Sequence, residues 1–194
     1  MNPASRQQNN QKARSIVFFI PGSIIAAFTF PGVVIHELAH YLFCRYFKVP
    51  VYQVCYFRFG NPAGYVIHQE PGNWLHNVII AAGPFFLNSA LGAIIAFPSA
   101  LRVFEFDGEA PIVDLILIWL GVSIAMHAIP STVDAKSMWE SVSGRGASWL
   151  AKIVVAPVVG LIYMLAYGSI FWLDLVYGIG ISLALPKMLV AVFT

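Results

Sequence analysis

The sequence predicts an all-α, multi-pass membrane protein with about five transmembrane helices and one small β-hairpin. Hydrophobic residues make up 59% of the 194 residues and charged residues only 10%, whereas a soluble domain carries about 25% charged residues. The mean hydropathy is +0.75, and apolar segments of about 20 residues, the length that crosses a bilayer, recur along the chain. A net charge of +2 argues against nucleic acid as a partner. The lipid bilayer is therefore the first expected partner.

The first 15 residues differ from the rest in being polar. We expect residues 1–15 to form a tail rather than a cleavable signal peptide, because the basic residues lead into an apolar segment too long for a signal core. The remaining residues, 16–194, suit a single compact transmembrane domain.

Five segments are long and apolar enough to be predicted as transmembrane helices. They cover residues 16–43, 74–100, 112–129, 149–167 and 170–193. If these spans alternate in direction, the loops after the first and third carry most of the basic residues outside the tail, which favours the cytoplasmic side for them. We therefore expect an integral protein of a prokaryotic cell membrane, with those loops in the cytoplasm.

The segment between the first two predicted spans has a different composition. Val51, Val54 and Tyr56 favour extended structure, and a run of Gly, Asn and Pro at residues 60–64 favours a turn. This pattern predicts a β-hairpin. Non-helical backbone at membrane depth is tolerated only against protein or water, so the hairpin should lie at the interface or against the helices.

The first span contains the sequence His36-Glu37-Leu38-Ala39-His40. Histidines four residues apart lie on one face of a helix, so both imidazoles can reach one metal ion. Glu37 then lies beside that ion, where it can take a proton from an activated water molecule. Ionisable residues within a span are energetically costly, and a bound cation offsets that cost. The motif therefore predicts one Zn²⁺ per chain.

A catalytic zinc usually takes three protein ligands, so a third must come from another part of the chain. His127 and Asp134 are the candidates, since the first and third spans end on the same side if directions alternate. Asp134 is favoured because a carboxylate lowers the net charge of the site where the dielectric constant is low, and because Pro130 interrupts the helix before it. His127 is then expected to donate to substrate or to an outer oxygen. The alternatives are a helix cap for Asp134 and an interior packing role for His127.

This ordered set resembles the site-2 protease family of intramembrane zinc metalloproteases. That family has H-E-x-x-H on one span, a Gly-Pro-rich span next and an aspartate ligand near a proline-broken third span. The resemblance implies that His36, His40 and Asp134 bind zinc and that Glu37 is the general base. Two departures are visible. Asn88 lies one residue later than in the family's Gly-Pro-x-x-Asn motif, and in the third motif a histidine stands roughly where the family has asparagine.

The resemblance also implies a substrate-binding β element, here in the region of residues 52–67. Together with the second motif it suggests four substrate-binding residues, which are Tyr52, Val54, Tyr56 and Asn88. The histidine of the third motif, His127, is expected to perform the polar task that the family gives to asparagine, and is counted as catalytic with Glu37.

The expected activity is hydrolysis of a peptide bond in a transmembrane protein substrate, which must unwind locally before it can be cut. An exposed strand edge could stabilise the unwound segment by β-augmentation. One alternative keeps the zinc but acts on lipid-linked or small amide substrates. Another is a catalytically silent protein that binds transmembrane helices, which the intact Glu37 disfavours because a silent binder needs no general base.

Overall fold

The computed structural model describes residues 22–104, 111–144 and 147–193. The predicted tail, residues 1–15, and the first residues of the first predicted span lie outside these ranges. The described chain is mainly helical and contains one two-stranded sheet. Its elements are α1 (Gly22–Phe28), α2 (Phe30–Tyr46), β1 (Val51–Cys55), β2 (Tyr65–His68), α3 (Trp74–Phe104), α4 (Ile112–Met126), α5 (Thr132–Ser143), α6 (Trp149–Gly168), α7 (Leu173–Ile179) and α8 (Leu185–Phe193).

Three described helical stretches are long and apolar enough to cross a membrane. They are Trp74–Val103, Trp149–Phe171 and Leu173–Val192, and they coincide with the second, fourth and fifth predicted spans. The apolar helix α4, in the third predicted span, is shorter. The first predicted span corresponds to α1 and α2, which meet at Thr29. The count of five spans therefore stays a prediction.

The hairpin follows α2 in the chain and precedes α3. Strands β1 and β2 pair in antiparallel fashion, with Val54 opposite Val66 and Cys55 opposite Tyr65. Because the sheet has only these two strands, each strand keeps one edge without a strand partner. The fold thus contains the extended element that the composition of this segment predicts.

Close helix contacts are made possible by glycines at the crossing points. A Cβ atom placed on Gly92 of α3 would lie 2.7 Å from the carbonyl oxygen of Gly121 in α4, and the reverse substitution would give the same distance. Likewise, a Cβ on Gly32 of α2 would overlap the carbonyl of Ser123 in α4. Such separations leave no room for a side chain. Helix α4 is therefore held tightly against both α2 and α3.

Helix α5 was not anticipated from the sequence. Its twelve residues, Thr132–Ser143, begin directly after Pro130 and Ser131, so the region after α4 is a tight turn into a second helix. On its other side α5 packs against α3 and α6 through a cluster of buried side chains that includes Met138, Val142 and Val155. This packing sets where the first turn of α5 lies relative to α2.

Candidate metal centre

Three ligand-type side chains meet between α2 and α5. The histidines of the α2 motif, His36 and His40, approach Asp134 of α5, and one ligand atom from each lies within 4.8 Å of the others. The Nε2 atoms of the two histidines are 3.2 Å apart. Asp134 Oδ1 lies 3.4 Å from His40 Nε2, and Asp134 Oδ2 lies 4.0 Å from His36 Nε2. The two histidines, which are close in sequence, thus meet a carboxylate that lies 94 residues after His40 in the chain.

The orientation of both imidazoles is set by backbone carbonyls. His36 Nδ1 lies 2.6 Å from the carbonyl oxygen of His127, and His40 Nδ1 lies 3.0 Å from that of Ile80. Because a carbonyl oxygen only accepts, each Nδ1 must carry the proton and donate it. In the neutral rings both Nε2 atoms are then unprotonated. Their lone pairs are the groups that face each other and the Asp134 carboxylate.

Asp134 is oriented by the first turn of its own helix. Its Oδ2 accepts hydrogen bonds from the backbone N–H and the hydroxyl of Ser131, both at 2.7 Å. The Ser131 hydroxyl oxygen in turn accepts from the Asp134 backbone N–H at 3.2 Å, which completes a capping box. The N-cap of α5 is thus Ser131 and not Asp134, which takes part in the cap from the third helical position and keeps Oδ1 near His40.

The three ligand atoms fit a tetrahedral metal site. Two neutral imidazole nitrogens and a carboxylate are all acceptors, so a proton or a cation between them would relieve the repulsion of their lone pairs. A proton on one ring could satisfy one or two of these contacts, whereas a metal ion satisfies all three. Zinc–ligand bonds of about 2.0–2.2 Å at the tetrahedral angle separate adjacent ligands by about 3.3 Å. The His36 Nε2–His40 Nε2 separation of 3.2 Å and the His40 Nε2–Asp134 Oδ1 separation of 3.4 Å are close to that value, whereas the 4.0 Å separation from His36 Nε2 is to the other carboxylate oxygen, Oδ2.

Glu37 lies next to this cluster and lines the same cleft. It is 8% exposed, and within the described ranges its carboxylate has no hydrogen-bond partner. Gly64, at the end of the hairpin loop, packs directly against it: a Cβ on Gly64 would lie 2.6 Å from Glu37 Cγ and 3.0 Å from Oε1. The carboxylate is thus held between α2 and the hairpin and remains free to exchange a proton with a molecule in the cleft.

The cleft has a volume of about 490 Å³ and is lined by residues from several helices and from the hairpin. The α2 motif forms its floor, and the turn before α5 forms one side. Strand β2 contributes Tyr65 and Val66, while Ser169 and Asp174 border it from the region where α6 ends and α7 begins. The cleft therefore joins the candidate metal ligands to an extended strand.

His127 contributes to the site mainly through its backbone. Its carbonyl accepts the His36 proton, while its own Nδ1 lies 3.0 Å from the Ser123 carbonyl and so donates to it. His127 lines the cleft. In the neutral ring Nε2 is then an acceptor, so the donor role expected from the sequence requires a protonated imidazole.

Asn88 does not line the cleft as the expected substrate contact would. It is fully buried, and its Nδ2 lies 3.2 Å from the carbonyls of Gly32 and Ile124 and 3.4 Å from that of His127. It therefore ties α2, α3 and α4 together. It also shares with His36 the carbonyl that orients the first imidazole, so its contact to the site is indirect.

The hairpin faces the cleft with a different strand from the one that the sequence favoured. Tyr52, Val54 and Tyr56, the expected substrate-binding residues, belong to or follow β1, and none of them lines the cleft. The cleft is lined instead by Tyr65, Val66 and His68 of β2, next to Gly64, which packs against Glu37. Two residues of the site, Ser131 and Gly64, were not predicted from the sequence. Local patterns could have indicated both: Ser131 stands three residues before Asp134, as in a capping box, and Gly64 is the last residue of a turn-rich segment.

No protein-family model matches the chain, and no curated protein and no solved structure matches it either.

Proposed function

We propose that this chain is an intramembrane zinc metalloprotease of the site-2 protease type, which hydrolyses peptide bonds of transmembrane substrates. One observation carries the proposal. Two imidazole nitrogens and a carboxylate oxygen converge next to a carboxylate without a hydrogen-bond partner, in a cleft walled by an exposed strand. That arrangement matches what metal-assisted hydrolysis requires. The proposal includes five membrane spans and an active site towards the cytoplasmic side of a prokaryotic membrane.

His36, His40 and Asp134 would hold one zinc ion, leaving a coordination position for water. When bound, the zinc would activate a water molecule and polarise the scissile carbonyl. The carbonyls of His127 and Ile80 hold the two imidazoles with their Nε2 atoms inward, and Ser131 holds the carboxylate. Such outer contacts keep ligands in one orientation and so favour binding of the metal over a rearranged site.

Glu37 would act as the general base and then as the general acid. Its carboxylate lies one residue after the first histidine, and the surrounding apolar residues and Gly64 exclude most water from it. In that role it takes a proton from water and delivers it to the leaving amine. The lack of any competing hydrogen-bond partner within the described chain keeps the carboxylate available for both transfers.

The exposed edge of the hairpin favours an extended peptide over a small amide as the substrate. A peptide bond inside a helix is shielded by the helix, so the segment to be cut has to leave its helical conformation. Strand β2 lines the cleft beside Glu37, and its unpaired backbone groups could hold the unwound segment as a third strand. A small amide would have no use for such an edge.

The test is cleavage of a panel of single-span peptides by the purified protein, with and without a zinc chelator. Glu37→Gln should keep zinc and lower the rate at least about a hundredfold, the lower range for general acid–base catalysis. Glu140→Gln, on the exposed face of α5, is the matched control and should leave the rate unchanged. Near-normal turnover by the Glu37 variant would remove it as the base.

The same assay separates the alternatives. Chelator-sensitive hydrolysis of small or lipid-linked amides, with no peptide cut, would replace the protease proposal by the membrane hydrolase. Binding of the peptides with no turnover of any substrate would favour the silent helix-binding protein.

A further inference from the structure

A second concave surface, with none of the lining residues of the metal cleft, lies where the end of α2 meets β1. We call it the basic groove; its polar lining residues are Tyr41, Arg45 and Lys48 from the end of α2, and Tyr52 and Gln53 from β1. Its volume is about 440 Å³. The two strands of the hairpin therefore face different sites, with β2 at the cleft and β1 at the groove.

The groove is positively charged and holds no acidic side chain. Within the described ranges neither Arg45 nor Lys48 forms an ion pair, whereas Arg102 pairs with Asp114 at 3.2 Å and Lys136 lies 3.8 Å from Glu140. Cations at a helix C-terminus also interact with its partial negative charge. That charge is only about half an elementary charge, so two cations leave the groove net positive.

Lys48 occupies a position where a lysine is conformationally disfavoured. Its φ is +56°, in the left-handed region, and it follows the last turn of α2 with its N–H donating to the Arg45 carbonyl at 3.1 Å. Glycine or asparagine usually ends a helix in this conformation because other side chains are strained there. A lysine at this place therefore supplies a charge at the expense of backbone strain. This strain is an observation separate from the shape and lining of the groove.

Exposed apolar and aromatic side chains lie next in sequence to the groove's lining residues on α2. Leu42 and Tyr46 of α2 are exposed, as is Tyr52 of β1. Aromatic side chains of this kind are enriched where a protein meets the membrane surface, and basic residues next to a span attract anionic lipids. A phosphate that enters the groove would thus have lipid-compatible surface beside it.

We propose that the basic groove binds the phosphate of an anionic phospholipid headgroup. Arg45 and Lys48 neutralise the phosphate, and the Tyr41 and Tyr52 hydroxyls are placed to donate to its oxygens. The bound lipid holds β1 at the membrane surface. This binding site does not depend on zinc or on peptide hydrolysis, so its test stands apart from that of the protease.

The test is native mass spectrometry of the full chain in detergent, titrated with phosphatidylglycerol or with zwitterionic phosphatidylcholine. Lys48→Gly is the informative variant, because glycine accepts the left-handed conformation and the fold should be kept or gain thermal stability. Arg45→Gln removes the other positive charge of the groove, at a position within the helix α2. Lys136→Ala, on α5, is the matched control for the loss of one positive charge.

We expect phosphatidylglycerol to bind in preference to phosphatidylcholine. Lys48→Gly and Arg45→Gln should each weaken it about fivefold, the effect of one basic residue at an anionic membrane surface, and Lys136→Ala should not. Equal binding by the wild type and both groove variants, or an equal loss in Lys136→Ala, would overturn the proposal. Soluble glycerol phosphate that competes at the same concentration as the lipid would identify the groove as a site for free phosphate instead.

Discussion

The third ligand can be tested by a graded series of substitutions around Asp134. Asp134→Ala removes the carboxylate, whereas Ser131→Ala removes one of the two hydrogen bonds on its Oδ2 and leaves the other, from the Ser131 backbone N–H. His127→Ala keeps the backbone carbonyl that accepts the His36 proton. The proposed zinc site therefore predicts three different losses of zinc affinity for substitutions that are close together in the chain.

The expected magnitudes follow from these contacts. Loss of an outer hydrogen-bond partner typically lowers metal affinity by about 10–100-fold. Ser131→Ala should fall near the lower limit, about tenfold, because one of two bonds on the oxygen survives. Asp134→Ala removes a proposed ligand itself, so its loss of affinity should exceed about a hundredfold. His127→Ala should cost less than about tenfold, because no bond to a ligand is lost.

The assay is competition for zinc between the detergent-solubilised protein and a chelator, with metal content measured in parallel. Ser131→Ala also removes a helix cap worth about 1 kcal/mol, so the thermal stability of each metal-free variant is needed. Ser131→Thr keeps the hydroxyl and should restore affinity, and Ser143→Ala at the other end of α5 is the neutral control. If zinc is lost from the His127 variant and retained by the Asp134 variant, the roles of the two residues exchange.

Three further predictions concern the other walls of the site. The double substitution His36→Ala with His40→Ala should abolish the one zinc per chain that we expect in the wild type; stoichiometric metal in that variant would place the site elsewhere. Gly64→Ala should retain zinc but lower turnover at least about tenfold, because the added Cβ meets the Glu37 side chain; unchanged turnover would show that the carboxylate does not need this position. Gly92→Ala should destabilise the α3–α4 contact by about 1–3 kcal/mol, seen as a lower melting temperature than that of the exposed Ala90→Ser control.

Local and compositional features were readable from the sequence alone. The pairing of His36 with His40 follows from helical periodicity, which places residues four apart on one face without any tertiary contact. The apolar spans follow from composition, because a bilayer requires about 20 apolar residues wherever the helix packs. The hairpin follows from β-branched and aromatic residues around a turn-rich segment.

Choices between alternatives that are locally equivalent required the tertiary structure. His127 lies at the end of the third apolar segment and Asp134 just after it. The packing of α5 against α3 and α6 brings the Asp134 carboxylate to the α2 histidines, whereas the close contact of α4 with α2 brings them the carbonyl of His127. Strands β1 and β2 have similar compositions, so which of them faces Glu37 depends on the path of the loop between them. Asn88 likewise turns to three backbone carbonyls that lie 36 to 56 residues away in the chain. Residue type and spacing specify what a side chain can do, whereas contacts between distant segments decide which partner it meets.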